Sequence, residues 1–294
     1  MIEDHGVIAA ALTPRGERGD LDFGAAFEQI DLLSAAGVQG ILWFAPAGEY
    51  PAFGIEERTR LLYLAAKRSR TPLFAGVGTV SLDDSVDLAR QAFSAGVAGV
   101  FLPPPHFYRY CQEEVLEFYL QFAAELSKDT AIYISNTPSV TTPVETETAR
   151  HLLATGRFAG IEDSAANGVS FAGQRYCWLA TDDGNAAGAR LQGAHGIVSS
   201  AASAVPELLC ALDRALRTGD TEEAARLNAM LGEFHAWTAR FAQPVILKVA
   251  AEMRGIKAGP LPVPVSVERQ RVLDEFRCWF KDWLPALKKL SANA

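Results

Sequence analysis

Several polar side chains stand at the ends of short apolar runs, where they could carry out chemistry. Glu162 ends the run FAGIE, and Ser135 and Asn136 end AIYISN. A carboxyl group surrounded by apolar walls has a raised pKa, so Glu162 could serve as a general acid or base beside Ser135. The alternative is a structural role, in which Glu162 fills a polar space and is hydrogen-bonded by Ser135, Asn136 or water.

Metal binding is the second kind of chemistry that the strand-end residues allow. Carboxylates with one imidazole suit Mg²⁺, Mn²⁺ or Zn²⁺, and a divalent ion can stabilise an enolate during aldol chemistry. Asp183 could instead cap a helix, and no His-x-His pair is present. We therefore predict no metal and no cofactor, and keep a metal site as an alternative. Its ligands would come from Glu49, His106, Glu162, Asp182 and Asp183.

Alternating strand and helix patterns must position these residues. Runs rich in Val, Ile and Phe predict strands, and amphipathic stretches between them predict helices. The predicted strands cover residues 6–12, 38–44, 72–77, 97–102, 131–135, 158–162, 176–181 and 194–199. The predicted helices cover residues 22–36, 55–69, 82–95, 112–127, 144–154, 164–173 and 183–192. This order predicts an α/β fold, a (β/α)8 TIM barrel whose catalytic residues lie at the C-terminal ends of the strands.

The rest of the chain changes to helices alone. An open doubly wound sheet is the alternative fold, but the residues after the first strand, TPRGERGD, match neither phosphate-binding pattern. We predict a barrel over residues 1–200 and a C-terminal helical region over residues 201–294 that packs on it. The predicted helices of that region cover residues 205–217, 221–238, 240–253 and 266–290.

Composition excludes several classes of protein. The chain of 294 residues has 49% hydrophobic and 21% charged residues, which is typical of a globular protein and not of a disordered one. A net charge of −8 without a basic stripe argues against nucleic acid as a partner. No apolar run reaches the roughly 20 residues that span a bilayer, so we expect no membrane partner. Four widely spaced cysteines and an N-terminus without a secretory pattern favour a cytoplasmic location.

Short motifs spread along most of the chain carry a family resemblance. They are ALTP (11–14), AAGVQGI (35–41), Gly48-Glu49, Pro104-Pro105 followed by QEE, Asn136 with Pro138, the frame GI-x-DS (160–164), GIVS (196–199) and PVILKVAAEMRGI (244–256). In this order they resemble the dihydrodipicolinate synthase / N-acetylneuraminate lyase family of class I aldolases. The resemblance implies a (β/α)8 barrel with a C-terminal helical region, and a homo-oligomer, either a dimer or a tetramer.

The resemblance also implies a Schiff-base mechanism, from which this chain departs. In the family a lysine ending the sixth strand attacks a 2-oxo acid, and the resulting iminium accepts electrons. Here Glu162 occupies the lysine position and Ser135 the position of the relay tyrosine. Ala45-Pro46-Ala47-Gly48-Glu49 replaces Gly-Thr-Thr-Gly-Glu, and Pro104-Pro105-His106-Phe107 replaces Pro-Pro-Tyr-Tyr. The family's arginine position corresponds to Val140.

The lysines of the chain do not supply a substitute amine. There are seven, and none lies between Lys128 and Lys248. Lys128 precedes the fifth strand at the wrong end of the barrel, and Lys248 matches a lysine of the family's helical region, where packing or surface exposure is expected. A carboxylate cannot form an imine, so we predict chemistry without a Schiff base.

Phenols elsewhere could replace the missing tyrosine. Tyr108 and Tyr110 lie near the fourth strand and could supply one from a neighbouring position. Tyr133 lies two residues before Ser135, so its side chain faces the same side of the strand one layer lower. We expect core packing for Tyr133.

Three functional hypotheses follow. The first is a lyase or aldolase-type enzyme that acts on a small oxo- or hydroxy-acid by non-Schiff-base chemistry. The second is a non-catalytic relative that binds a small-molecule ligand or serves as a regulatory or assembly subunit, and the third is a metal-assisted lyase. The predicted catalytic residues are Glu162 and Ser135. The predicted substrate-binding residues are Ala47, Gly48, Glu49, His106, Phe107, Asn136, Ser164, Asp182 and Val198.

Overall fold

The computed structural model describes residues 5–292, and a closed barrel of parallel strands organises them. Each strand pairs with the next in sequence, and the first pairs with the eighth. The strands are β1 (Gly6–Ala10), β2 (Gly40–Trp43), β3 (Leu73–Gly76), β4 (Gly99–Leu102), β5 (Ile132–Ser135), β6 (Gly160–Asp163), β7 (Cys177–Ala180) and β8 (Gly196–Ser199). The predicted (β/α)8 TIM barrel is thereby confirmed, and every strand falls within its predicted run except that β6 extends to Asp163.

A helix follows every strand and covers the outside of the barrel. These helices are α1 (Phe23–Ala35), α2 (Ile55–Arg68), α3 (Leu82–Ala95), α4 (Gln112–Ala124), α5 (Thr146–Ala154), α6 (Ala165–Gly168), α7 (Ala186–Leu191) and α8 (Pro206–Thr218). Helix α3 begins as predicted, because the Ser81 side chain accepts a hydrogen bond from the Asp84 N–H. Helix α6 is shorter than predicted and continues as a 3-10 turn, Val169–Phe171. The buried indole of Trp178 packs directly against Gly168 and leaves no room for a side chain there.

Three further helices form the C-terminal region: α9 (Thr221–Thr238), α10 (Val245–Met253) and α11 (Val267–Ala292). Phe234 of α9 packs against Phe276, Phe280 and Trp283 of α11. The boundary predicted at residue 200 falls between β8 and α8. Helix α8 packs against β1 and α7 on one side and against α9 and α11 on the other, so the boundary at residue 200 stays a prediction. Within residues 5–292, no helix combines the length and apolarity needed to cross a bilayer.

The interior of the barrel is filled unevenly along its axis. Aromatic rings occupy the lower layer, where Phe101 stacks on Tyr133 at 4.8 Å and Phe74 meets both rings edge-on. The Tyr133 hydroxyl lies 3.3 Å from Nε2 of His5, which precedes β1, so this layer is at the N-terminal end of the barrel. Tyr133 packs in the core as predicted. Small residues such as Ala10 and Ala45 line the layer above, which leaves space at the C-terminal end.

Candidate active site

Glu162 lies inside the barrel at the C-terminal end of β6. The strand register pairs it with Ser135 of β5, and the Ser135 hydroxyl donates a hydrogen bond of 2.6 Å to Oε2 of Glu162. A second hydroxyl, that of Thr181, lines the cavity together with Glu162. Burial raises the pKa of Glu162 above its ordinary value, since only 3% of the residue is exposed, while the two hydroxyl groups act in the opposite direction. This geometry brings the two predicted catalytic residues together.

A cavity of about 520 Å³ opens above Glu162. Its lining residues come from the ends of β1, β2, β5, β6, β7 and β8 and from the loop before α10. They are Ala10, Ala45, Pro46, Asn136, Thr137, Pro138, Ser139, Val140, Glu162, Ser164, Thr181, Val198, Ser200, Ala242 and Gln243. Among these lining residues, Glu162 has the one ionisable side chain. The cavity therefore surrounds a single carboxyl group with hydroxyl, amide and apolar groups.

Asn136 holds the loop that forms one wall of the cavity. Its side-chain amide donates to the Val144 carbonyl (3.1 Å) and to Oδ2 of Asp163 (2.9 Å). Its side-chain oxygen accepts the Val144 N–H at 3.0 Å. These bonds give Asn136 a positioning role, and because Asn136 also lines the cavity, its contact with substrate stays a prediction.

Asp163 was not predicted as a site residue, although it holds Asn136 in place beside the cavity. Successive side chains on a strand point to opposite faces, so Asp163 points outward while its neighbour Glu162 points into the barrel. Besides accepting the amide of Asn136, it accepts the Ser164 N–H at 2.7 Å. Burial raises its pKa as well. The alternation of strand side chains was the available signal, because it separates two adjacent carboxylates into different environments.

The turn after β2 is tied to the helical region by a buried ion pair. Nζ of Lys248 in α10 lies 2.6 Å from Oε2 of Glu49, and the ammonium also donates to the Pro260 carbonyl at 3.2 Å. Lys248 is only 1% exposed, which agrees with the packing role expected for it. Ala47, Gly48 and Glu49 were predicted to bind substrate, but the structure places them outside the lining of the cavity. Ala45 and Pro46, earlier in the same turn, line it instead.

The backbone of this turn is strained. Phe44 and Glu49 have φ angles of 63° and 54°, in the left-handed region that favours glycine. The carbonyl of Phe44 passes directly over Gly76 of β3, where a Cβ would lie 2.2 Å from its oxygen. A glycine in β3 therefore allows the β2 turn to bend over the barrel and bring Pro46 to the cavity.

The loop after β4 lies outside the cavity lining. His106 contacts Tyr50, with 3.4 Å between Nδ1 and the phenol oxygen, and burial together with the nearby Arg58 lowers the pKa of the imidazole. Phe107 is 81% exposed and adopts a φ of 90°. Both were predicted to bind substrate. In this single chain they form no part of the cavity, and neither does Tyr108, whose ring packs edge-on against Phe107.

The ends of β6, β7 and β8 contribute neutral polar groups. Ser164 and Val198 line the cavity at positions predicted to bind substrate. Asp182 was also predicted to do so, but its carboxylate caps a 3-10 turn by accepting the Gly184 N–H at 3.0 Å. Thr181, which precedes it, was not predicted and faces Glu162. Since the apolar run there predicts a strand to residue 181, its alternation could have assigned Thr181 to the inside.

The candidate metal ligands are dispersed over the barrel end. Glu49 pairs with Lys248, His106 with Tyr50, and Glu162 with Ser135. Across the described residues, no three His, Cys, Asp or Glu side chains form a group that could hold a metal ion. The metal-assisted alternative therefore has no support from the arrangement of these ligands.

Comparison with known proteins identifies similar sequences and folds. The model of the dihydrodipicolinate synthetase family matches residues 3–277. The 4-hydroxy-tetrahydrodipicolinate synthase of Azoarcus sp. (strain BH72) is 28% identical over 270 residues, covering 89% of this chain and 92% of that protein. An uncharacterized DapA-like lyase of Halobacterium salinarum is 30% identical over 270 residues, covering 89% and 88%. The solved 4-hydroxy-tetrahydrodipicolinate synthase of Methylacidiphilum fumariolicum SolV superposes with a TM-score of 0.86 at 25% identity, covering 97% and 99%.

Proposed function

Because the chain belongs to the dihydrodipicolinate synthetase family, whose members among its relatives include aldolase-type lyases, we propose that it is a lyase of this type working without a Schiff base. Its substrate would be a small oxo- or hydroxy-acid, and Glu162 would be the general acid and base. The single observation that carries this proposal is the buried carboxyl of Glu162 at the floor of an open cavity, hydrogen-bonded by Ser135.

The positions of the lysines argue against a Schiff base. No lysine occurs between Lys128 and Lys248, so none lies on β5 to β8. Lys248 is buried and paired with Glu49, and it is not among the residues that line the cavity. A nucleophilic amine must reach the substrate carbonyl, and neither lysine is placed to do so.

The chemistry follows from the raised pKa of Glu162. Burial favours the protonated form of Glu162, and a protonated carboxyl group can donate its proton to a carbonyl oxygen when negative charge develops there. In aldol cleavage the hydroxyl proton leaves, that C–O bond becomes a carbonyl, and the C–C bond breaks. The electrons of the broken C–C bond move toward the neighbouring carbonyl, whose oxygen takes the proton from Glu162. The fragment that carries this oxygen is thereby released as an enol. The proton of the substrate hydroxyl then passes to the Glu162 carboxylate, so the carboxyl group is restored and every proton is accounted for.

An open cavity favours this reading over a relative that serves only as a regulatory or assembly subunit. A protein without a ligand could fill the same space with a large side chain, and Trp43 at the end of β2 and Phe107 after β4 are large enough to do so. Trp43 is fully buried in the main hydrophobic core, away from the interior cluster, and Phe107 projects into solvent. Polar groups line the space that they leave, which supports a working site.

We further propose that the ligand is a small molecule, that the chain forms a homo-oligomer, and that it resides in the cytoplasm. The four cysteines, at positions 111, 177, 210 and 278, are free thiols in the structure, as expected in a reducing compartment.

The test follows exchange of the α-protons of two probes, pyruvate and its neutral analogue pyruvamide, in D₂O by NMR. Protonation of the carbonyl oxygen by Glu162 promotes enol formation, so the wild-type protein should accelerate exchange of at least one probe. The variant Glu162→Gln should lose most of this, by about 10²–10⁴-fold for a general acid. Glu125→Gln, a surface change at the residue that follows α4, is the control.

Two results would contradict the proposal. One is exchange at the buffer rate with both probes, or exchange that survives in Glu162→Gln. The other is a covalent adduct, seen by mass spectrometry after incubation of the wild-type protein with pyruvate and borohydride, since it would require an amine at the site.

A further inference from the structure

The charge balance of the cavity restricts what can bind in it. Glu162 supplies the one ionisable side chain of the lining, and burial raises its pKa. Burial favours the protonated form of this carboxyl group, which is a neutral hydrogen-bond donor. The Ser135 hydroxyl already donates to Oε2 of Glu162, so the proton of the carboxyl group is left to find an acceptor on the ligand.

Three cations on the elements and loops around the barrel bond to groups other than the cavity lining. Arg58 donates to the Gly76 and Gly78 carbonyls at 2.6 and 3.0 Å, and Lys248 pairs with Glu49. Arg109 donates to the Thr141 carbonyl, next to the cavity residue Val140, but is not itself part of the lining. A ligand carboxylate beside Glu162 would therefore have no cation to compensate its loss of water.

The wall formed by the β2 turn also lacks one backbone N–H donor. Pro46 lines the cavity and has no N–H group, so this position offers no donor to an anion. The neutral polar groups that remain are hydroxyls and amides, at Thr137, Ser139, Ser164, Ser200 and Gln243. Such groups pair well with carbonyl and hydroxyl oxygens.

We propose that the cavity takes a small carbonyl or hydroxyl compound by an uncharged, oxygen-bearing end, and that it discriminates against a carboxylate placed next to Glu162. The inference rests on the proposed function in taking this cavity as the substrate site. An oxo- or hydroxy-acid would then turn its carboxylate toward the mouth of the cavity, where Val140 is partly exposed.

The test measures binding by calorimetry near neutral pH with three probes that share a ketone: pyruvate, pyruvamide and the cation aminoacetone. Pyruvamide should bind at least about tenfold more tightly than pyruvate, because a ligand carboxylate loses its water in the cavity without a cation to compensate the loss. The variant Val140→Arg places a cation at the wall and should reverse the preference toward pyruvate by a similar factor. Val140→Gln changes size and polarity without charge and should leave the preference as it is.

The possible results of the binding and exchange experiments test the ligand class and the lyase chemistry separately. Tighter binding of pyruvate, equal affinities, or no binding of pyruvamide would overturn the inference. Tighter binding of aminoacetone would overturn it too, by showing that Glu162 acts as an ionised counter-charge. Preferential binding of pyruvamide without proton exchange would contradict only the proposed lyase chemistry, and exchange with a preference for pyruvate would contradict only the ligand class.

Discussion

At the scale of single residues, the cost of burying Glu162 is the central fact. A carboxyl group in an apolar barrel is expensive to ionise, and the hydrogen bond from the Ser135 hydroxyl offsets only part of that cost. Asp163, one position later, meets a different environment in which Asn136 and the Ser164 N–H hold it. Two adjacent carboxylates therefore play separate parts, one facing the cavity and one fixing its wall.

We expect the stability of the protein to depend on the ionisation of Glu162. An unfolded glutamate has a pKa of about 4.3. In the folded protein the pKa is raised, so the stability that this group allows is complete below about pH 4 and is lost as the pH rises through the folded value. Glu162→Gln does not ionise and should gain stability relative to the wild-type protein over that range.

Urea denaturation at a series of pH values checks this expectation. The difference in unfolding free energy between Glu162→Gln and wild type should move in favour of the variant as the pH rises. Glu125→Gln controls for the change in net charge. A difference that is independent of pH, or that moves in favour of the wild type, would show that the carboxyl group is not penalised by burial.

At the scale of elements, the β2 turn and α10 share the wall of the cavity. Ala45 and Pro46 come just before Glu49, and Ala242 and Gln243 come just before the helix that carries Lys248. The Glu49–Lys248 pair therefore joins the two segments that face the ligand from the barrel and from the helical region. Strain in the turn, at Phe44 and Glu49, is maintained by this packing.

Lys248→Met should destabilise the protein by about 3–5 kcal/mol, because it leaves the Glu49 carboxylate buried without its partner. The double variant Glu49→Gln, Lys248→Met should recover much of this loss, since no unpaired charge remains. Chemical denaturation of the wild type, both single variants and the double variant measures the coupling. Equal losses in the single and double variants would mean that the pair contributes only through side-chain packing.

At the scale of the whole molecule, aromatic packing joins the C-terminal helices to one another, and the Glu49–Lys248 ion pair joins α10 to the β2 turn of the barrel. Phe276 and Phe280 of α11 are fully buried, and both pack against Phe234 of α9. In the loop after β4, Phe107 and Tyr108 form an exposed aromatic pair. Exposed aromatic side chains of this kind mark interaction surfaces.

We expect light scattering to give a mass of two or four times the 31.7 kDa of one chain. Replacing both Phe107 and Tyr108 by serine should shift the mass toward the monomer, because it removes apolar area from the surface that a second copy would cover. Tyr63→Ser, which changes a half-exposed tyrosine on α2, is the matched control. A monomeric wild-type protein would contradict the expected assembly.

The positions of the elements could be predicted from the sequence because local patterns specify them. Buried parallel strands read as short apolar runs and the helices between them as amphipathic stretches, so the strand ends were located to within a few residues. Alternation along β5 also assigned Tyr133 to the core. Helix α6 was predicted too long because its end depends on Trp178, which comes from the next strand.

The sequence predicts where the side chain of a site residue points only when that residue lies on a strand. Sequence alone determined that Glu162 and Ser135 end neighbouring strands and that no lysine is available there. Tertiary structure decided that Glu49 pairs with Lys248 and that Thr181 lines the cavity beside Glu162. It also decided that Asn136 and Asp182 make hydrogen bonds within the loops that carry them. Strand alternation is a local property, whereas the partners of loop side chains depend on packing between segments that lie far apart in the chain.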